Sequence, residues 1–102
     1  MGRLVNITVK DYVDQVYSNE DGMVIYNTLK SELEKSNKIQ VSFKDITALN
    51  SSFVNSAFIE LLNDYDFRFI KQNLRFVDST RQINDLIKTR FSFELNERST
   101  VQ

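Results

Sequence analysis

Residues 41–62, VSFKDITALNSSFVNSAFIELL, read as a strand, a loop, a helix start and an amphipathic helix in one run. Val41 and Phe43 continue an apolar alternation that begins at Ile39, the period of a half-buried strand. Lys44 to Asn50 then carries loop chemistry, and Asn50, Ser51 and Ser52 supply side-chain oxygens able to accept from the unpaired amides of a first helical turn. From Phe53 onward, Val54, Ala57, Phe58, Leu61, Leu62 and Tyr65 recur at helical spacing on one broad face, which predicts a helix over 51–65.

Outward from this run the same unit repeats. Leu4 to Val9 (LVNITV) alternates as a strand, with Val5, Ile7 and Val9 on one face and Leu4, Asn6 and Thr8 on the other. Asp11 to Asp21 mixes Tyr12, Val13, Val16 and Tyr17 with turn formers and reads as irregular. A helix follows over about 22–35, where Val24, Ile25, Leu29 and Leu33 share a face and Glu32, Glu34 and Lys35 lie towards water. Residues 66–73, with the aromatic pair Phe67 and Phe69, lead into a short strand, Leu74 to Val77. Asp78-Ser79-Thr80 precedes a last helix, and Ser79 with Gln82 fits a capping box. Its phase blurs after Thr89, because Phe91, Phe93 and Leu95 also alternate as a strand would, and the helix is taken to about Phe93.

The order is strand, helix, strand, helix, strand, helix. Such alternation predicts an α/β domain with right-handed crossovers. The expected fold is a small single-domain sandwich: a mixed or partly parallel sheet covered by about three helices, with one sheet face only partly covered. The domain is expected to span residues 1–96, with 97–102 as a flexible C-terminal tail. At 102 residues one core is the usual solution, and such a chain buries roughly two thirds of its unfolded surface.

Composition narrows the chemistry. There is no His and no Cys, so the common zinc sites, thiol nucleophiles and serine–histidine triads are unavailable. Two glycines leave no phosphate-cradling loop. An enzyme is therefore not expected, and no cofactor is. Lys and Arg number 13 against 14 Asp and Glu, scattered along the chain, which speaks against nucleic acid as the main partner. No apolar run approaches the ~18 residues of a membrane span, and no signal-peptide core opens the chain. A cytoplasmic, membrane-free protein is the expectation.

The stretch VSFKDITALNSSFVNSAF resembles the STAS superfamily, the anti-sigma factor antagonist type of domain, in which an apolar strand and a loop lead to Asp-Ser-Ser-Gly at a helix start. It is more similar still to the STAS-like family of bacterial proteins of unknown function, with Ser51-Ser52-Phe53-Val54-Asn55 at the helix start, Asp21-Gly22 before the first helix, Val41-Ser42-Phe43 in the strand and Leu74-Arg75-Phe76-Val77 in the last strand. The resemblance spans about residues 5–92. It implies a regulatory protein-binding module, docking on a kinase-type anti-sigma factor or another GHKL-type ATPase of the histidine-kinase kind. By position it implies Ser51 as the serine that such a partner phosphorylates. Asn50 stands where the antagonist motif has Asp, and Phe53 where it has Gly, so a charge beside the acceptor hydroxyl is lost and the helix start is bulkier.

The expected partner-binding residues are thus Asn50, Ser51, Ser52, Phe53 and Asn55. Phe53 reads equally as a core residue or as a partly exposed anchor of the kind enriched at interface hot spots. Phe43, Phe58 and Phe76 read as core. Glu60, Asp64 and Asp66 could offer oxygen ligands to a divalent cation, but a solvated helix end is the expectation there. Two other roles suit a small chain without catalytic groups. One is a phage-borne or stand-alone inhibitor or adaptor that blocks a host factor, and the other is a small-ligand sensor.

Overall fold

The structure, a computed structural model, describes residues 2–100. Three strands, β1 (Leu4–Thr8), β2 (Lys38–Ser42) and β3 (Leu74–Val77), form a wholly parallel sheet in the order β1-β2-β3. Four α-helices accompany it: α1 (Asn19–Glu34), α2 (Ser51–Ala57), α3 (Phe67–Asn73) and α4 (Arg81–Thr100). The expected α/β class and the parallel pairing both hold. The helix count is four because Phe67–Asn73, read from sequence only as the lead into β3, is a helix capped by Asp66, whose Oδ1 accepts from the Phe69 amide at 2.8 Å.

Register explains which face is buried. Val5, Ile39 and Leu74 align across the sheet, as do Ile7, Val41 and Phe76. These side chains join one contiguous core with Ile25, Leu29, Phe43, Phe53, Phe58 and Ile83. The opposite face carries Asn6, Gln40 and Arg75 in one row and stays at the surface, with Gln40 Nε2 donating to Asn6 Oδ1 at 3.1 Å. Leu4, on that same face, is 55% exposed. Parallel sheets are ordinarily covered on both faces, so the polar alternation of these strands is what lets one face meet water.

Helix ends follow local chemistry. Ser18 caps α1 by accepting from the Asp21 amide. At its other end Ser36 adopts φ 65°, its amide reaching Leu33 O and the Asn37 amide reaching Glu32 O, the paired bonds of a Schellman turn. The helix expected over 51–65 is shorter: α2 ends at Ala57, and a 3-10 turn, Ile59–Asn63, continues the chain. Burial is unbroken from Ser56 to Ile59, which no single helical stripe can supply, and the tighter turn brings Ile59 and Leu61 inward.

The last helix corrects two expectations. Its start is capped by Thr80, whose Oγ1 accepts from the Ile83 amide at 3.2 Å, while Ser79 Oγ donates to Asn84 Oδ1 and forms no capping box with Gln82. It also runs to Thr100 and not to about Phe93. The tail expected at 97–102 coincides with that helix over 97–100, and residues 101–102 lie outside the described residues. Among the described residues no helix is long and apolar enough to cross a membrane.

One polar staple ties α1 to the 3-10 turn. Tyr26 donates its phenolic proton to Asp64 Oδ2, and Lys30 lies 3.6 Å from the other carboxylate oxygen. The hydrogen bond to Asp64, followed by burial and the charge of the same carboxylate, pushes the Tyr26 phenol up to about 12.

Candidate functional site

All three strands point their C-terminal ends to one rim, the place where open α/β sheets ordinarily bind their ligands. Three connections meet there: residues 9–18 after β1, 43–50 after β2 and 78–80 after β3. They are tied together by named bonds. Ser42 Oγ donates to Asp78 Oδ2 at 2.7 Å and accepts from the Lys44 amide at 3.2 Å, and Thr80 Oγ1 donates to Thr47 O at 3.0 Å. Asp45 turns the chain at φ 65°, with the Ile46 amide donating to Phe43 O at 2.9 Å, a conformation Asp tolerates better than most residues.

Asn50 joins the rim to α2 with both ends of its amide. Its Oδ1 accepts from the Phe53 amide at 3.1 Å and so caps the helix, while its Nδ2 donates to Tyr17 O at 2.9 Å on the β1–α1 connection. An Asp at this position could accept but not donate. The second bond is the physical reason for an amide here.

With the cap supplied by Asn50, Ser51 and Ser52 sit exposed on the first turn of α2, and among the described residues neither hydroxyl is hydrogen-bonded. Sequence reasoning treated all three oxygens as caps; one of them is. The other expected site residues divide differently. Phe53 is 0% exposed, packed edge-on to Phe58 at 6.3 Å between ring centroids, so its reading as a surface anchor is corrected to core. The cause is the close crossing of α1 over α2 at Gly22, which draws the helix start under the first helix. A Cβ at Gly22 would lie 2.8 Å from the Phe53 carbonyl oxygen and 2.6 Å from Ser56 Cβ. Asn55 is half-buried, its Oδ1 accepting from Arg90 Nε at 2.9 Å, which pins α4 to α2.

The aromatic side chains that do face water at this rim are Tyr17, 57% exposed, and Tyr12, 47% exposed. From sequence both read only as part of an irregular segment, with no role at the site. The available signal was two aromatics in a polar, turn-rich segment too short to bury them all. Between the first two connections lies a small hollow of about 120 Å³ lined by Lys10, Asp14, Tyr17, Asp45 and Thr47 among others. Lys10 Nζ donates to Asp14 O at 3.3 Å across its margin.

The rim offers hydroxyls, amides and aromatic surface, together with the charged side chains Lys10, Asp14, Asp45 and Asp78. Away from it, the three carboxylates considered for a cation are engaged separately: Asp64 with Tyr26 and Lys30, Asp66 as the α3 cap, and Glu60 accepting from Asn63 Nδ2 at 3.0 Å. Among the described residues no group of three or more acidic side chains could hold a metal ion.

A family model described as a STAS-like domain of unknown function matches residues 21–84, more than half of the chain, from the third residue of α1 past the start of α4. Comparison with curated proteins and with solved structures found no match.

Proposed function

The chain belongs to the STAS-like family of unknown function, and on that premise we propose that it is a non-enzymatic, cytoplasmic regulatory module that docks a protein partner on the rim around the start of α2. The observation that carries this reading is the exposed pair Ser51 and Ser52, relieved of capping by Asn50 and standing beside exposed Tyr17. Tyrosine supplies the large, ordered contact area typical of interface hot spots, and in this proposal it takes the anchor role that was one of two readings of Phe53. The partner in this proposal is a histidine-kinase-type ATPase or anti-sigma-type regulator, and Ser51 is the hydroxyl it phosphorylates. A phosphate there would add about -1.5 to -2 charges at neutral pH to the contact surface, enough to end a docked state.

The test is calorimetric titration of the purified protein with the genomically neighbouring ATPase, with and without ATP, followed by mass spectrometry for phosphate on Ser51. Expected are a complex, at least about tenfold weaker with Tyr17→Ala, and release on phosphorylation. A complex without phosphate transfer would keep the docking and remove the switch. No complex in any nucleotide state would remove both.

A further inference from the structure

A groove of about 620 Å³ runs between α3 and β3 on one side and α4 on the other, a volume within the ~300–1,000 Å³ of small-molecule sites. Phe67, Ile70 and Leu74 form one wall, and Ile87, Phe91 and Leu95 the other. Ile70, Leu74, Ile87 and Phe91 are buried, and Phe67 and Leu95 are half-buried beside them.

The charge of the lining is one-sided. Its charged residues are Lys71 and Lys88, from opposite walls, and no carboxylate lines the groove. Both lysines are exposed, and among the described residues neither has an acidic side chain within ion-pair distance. The Lys71 ammonium instead lies 5.6 Å from the centre of the Phe67 ring. Asn84 and Ser92 add only neutral polar groups. An apolar groove whose charges are two unpaired ammoniums is complementary to an apolar chain ending in an anion.

We propose that this groove binds one long-chain carboxylate, with its alkyl chain between the two walls and its carboxylate at Lys71 and Lys88. Each methylene buried there strengthens binding about fourfold, and the lysine pair selects the sign of the head group. The site is separate from the α2 rim, and the proposal does not rest on protein docking there.

The experiment is calorimetric titration of the delipidated protein with palmitate below its micelle concentration, alongside hexadecyltrimethylammonium, which carries the same tail on a cation. Saturable one-to-one palmitate binding is expected, with the cation weaker. The double variant Lys71→Glu/Lys88→Glu, changed at two exposed positions, is expected to weaken palmitate at least about tenfold and to reverse the preference. Leu95→Trp, at a half-buried position, fills the groove and is expected to weaken both amphiphiles with the far-ultraviolet circular dichroism unchanged. The proposal is overturned by absence of saturable palmitate binding, by equal affinity for the two head groups, or by palmitate affinity that ignores the charge reversal.

Discussion

At Asn50 one amide side chain does what neither serine beside it does. It accepts from the first turn of α2 and donates to the Tyr17 carbonyl, so two connections depend on it. Asn50→Ala is expected to destabilise the fold by about 1–2 kcal/mol, with Asn50→Asp keeping the cap but losing the donor. Ser51→Ala and Ser52→Ala are expected to stay within about 0.5 kcal/mol, because exposed hydroxyls without partners contribute little. Urea denaturation of the four variants checks the ranking, and a serine variant as costly as Asn50→Ala would show that the cap is shared. Phe53→Ala, by contrast, opens a cavity in the core and is expected to cost about 3–5 kcal/mol, so it reports on folding and not on docking. The sequence displays three capping-competent residues in a row. Which one caps depends on where the backbone leaves the extended region, and that is Asn50, at φ -114° and ψ 174°. Burial of Phe53 was equally hidden, since it follows from a helix crossing set more than thirty residues earlier in the chain.

Between elements, the crossing of α1 over α2 is the most exacting contact. Alanine ordinarily stabilises a helix interior by about 1 kcal/mol relative to glycine. At Gly22 the sign is expected to reverse, because the added methyl meets the Phe53 carbonyl and Ser56 Cβ well inside contact distance, and backbone cannot step aside cheaply. Gly22→Ala should cost about 1–3 kcal/mol in urea denaturation, and a stabilised variant would show that the helices can separate without loss. The Tyr26–Asp64 staple gives a pH signature. An unfolded phenol loses its proton near 10.0, whereas Tyr26 holds its proton up to about 12. Between those values the unfolded chain releases a proton that the folded chain keeps, so this contribution is complete below about pH 10 and is lost as pH rises towards 12. The stability gap between the native protein and Tyr26→Phe should therefore narrow over that window; a constant gap would show that the phenol is not held by Asp64. Apolar periodicity made α1, β1, β2 and β3 legible. It could not resolve α3, whose seven residues span barely two turns, nor the end of α2, where burial is continuous. In α4 the apparent strand pattern dissolves because Phe93 faces water, its ring 4.9 Å from the Arg90 guanidinium, and only Phe91 of that pair enters the core.

For the whole molecule, the alternation of LVNIT and KIQVS already implies a sheet buried on one side, and the structure builds it that way. What alternation does not encode is which cavities remain once the helices are laid down, so the groove beside α4 was not legible while the rim of the sheet was. The two-faced sheet makes a sharp quantitative claim about neighbouring residues. Ile39 is fully buried beneath the helices, while Gln40, the next residue, points to the open face, where its side chain donates to Asn6. Ile39→Ala is expected to cost about 2–5 kcal/mol and Gln40→Ala no more than about 0.5 kcal/mol. Measured in urea at low protein concentration, the pair tests whether the open face is free in the isolated chain. A loss above about 1.5 kcal/mol at Gln40 would mean that this face is covered, and a loss that grows with protein concentration would identify a second copy of the chain as the cover, since only association makes stability depend on concentration.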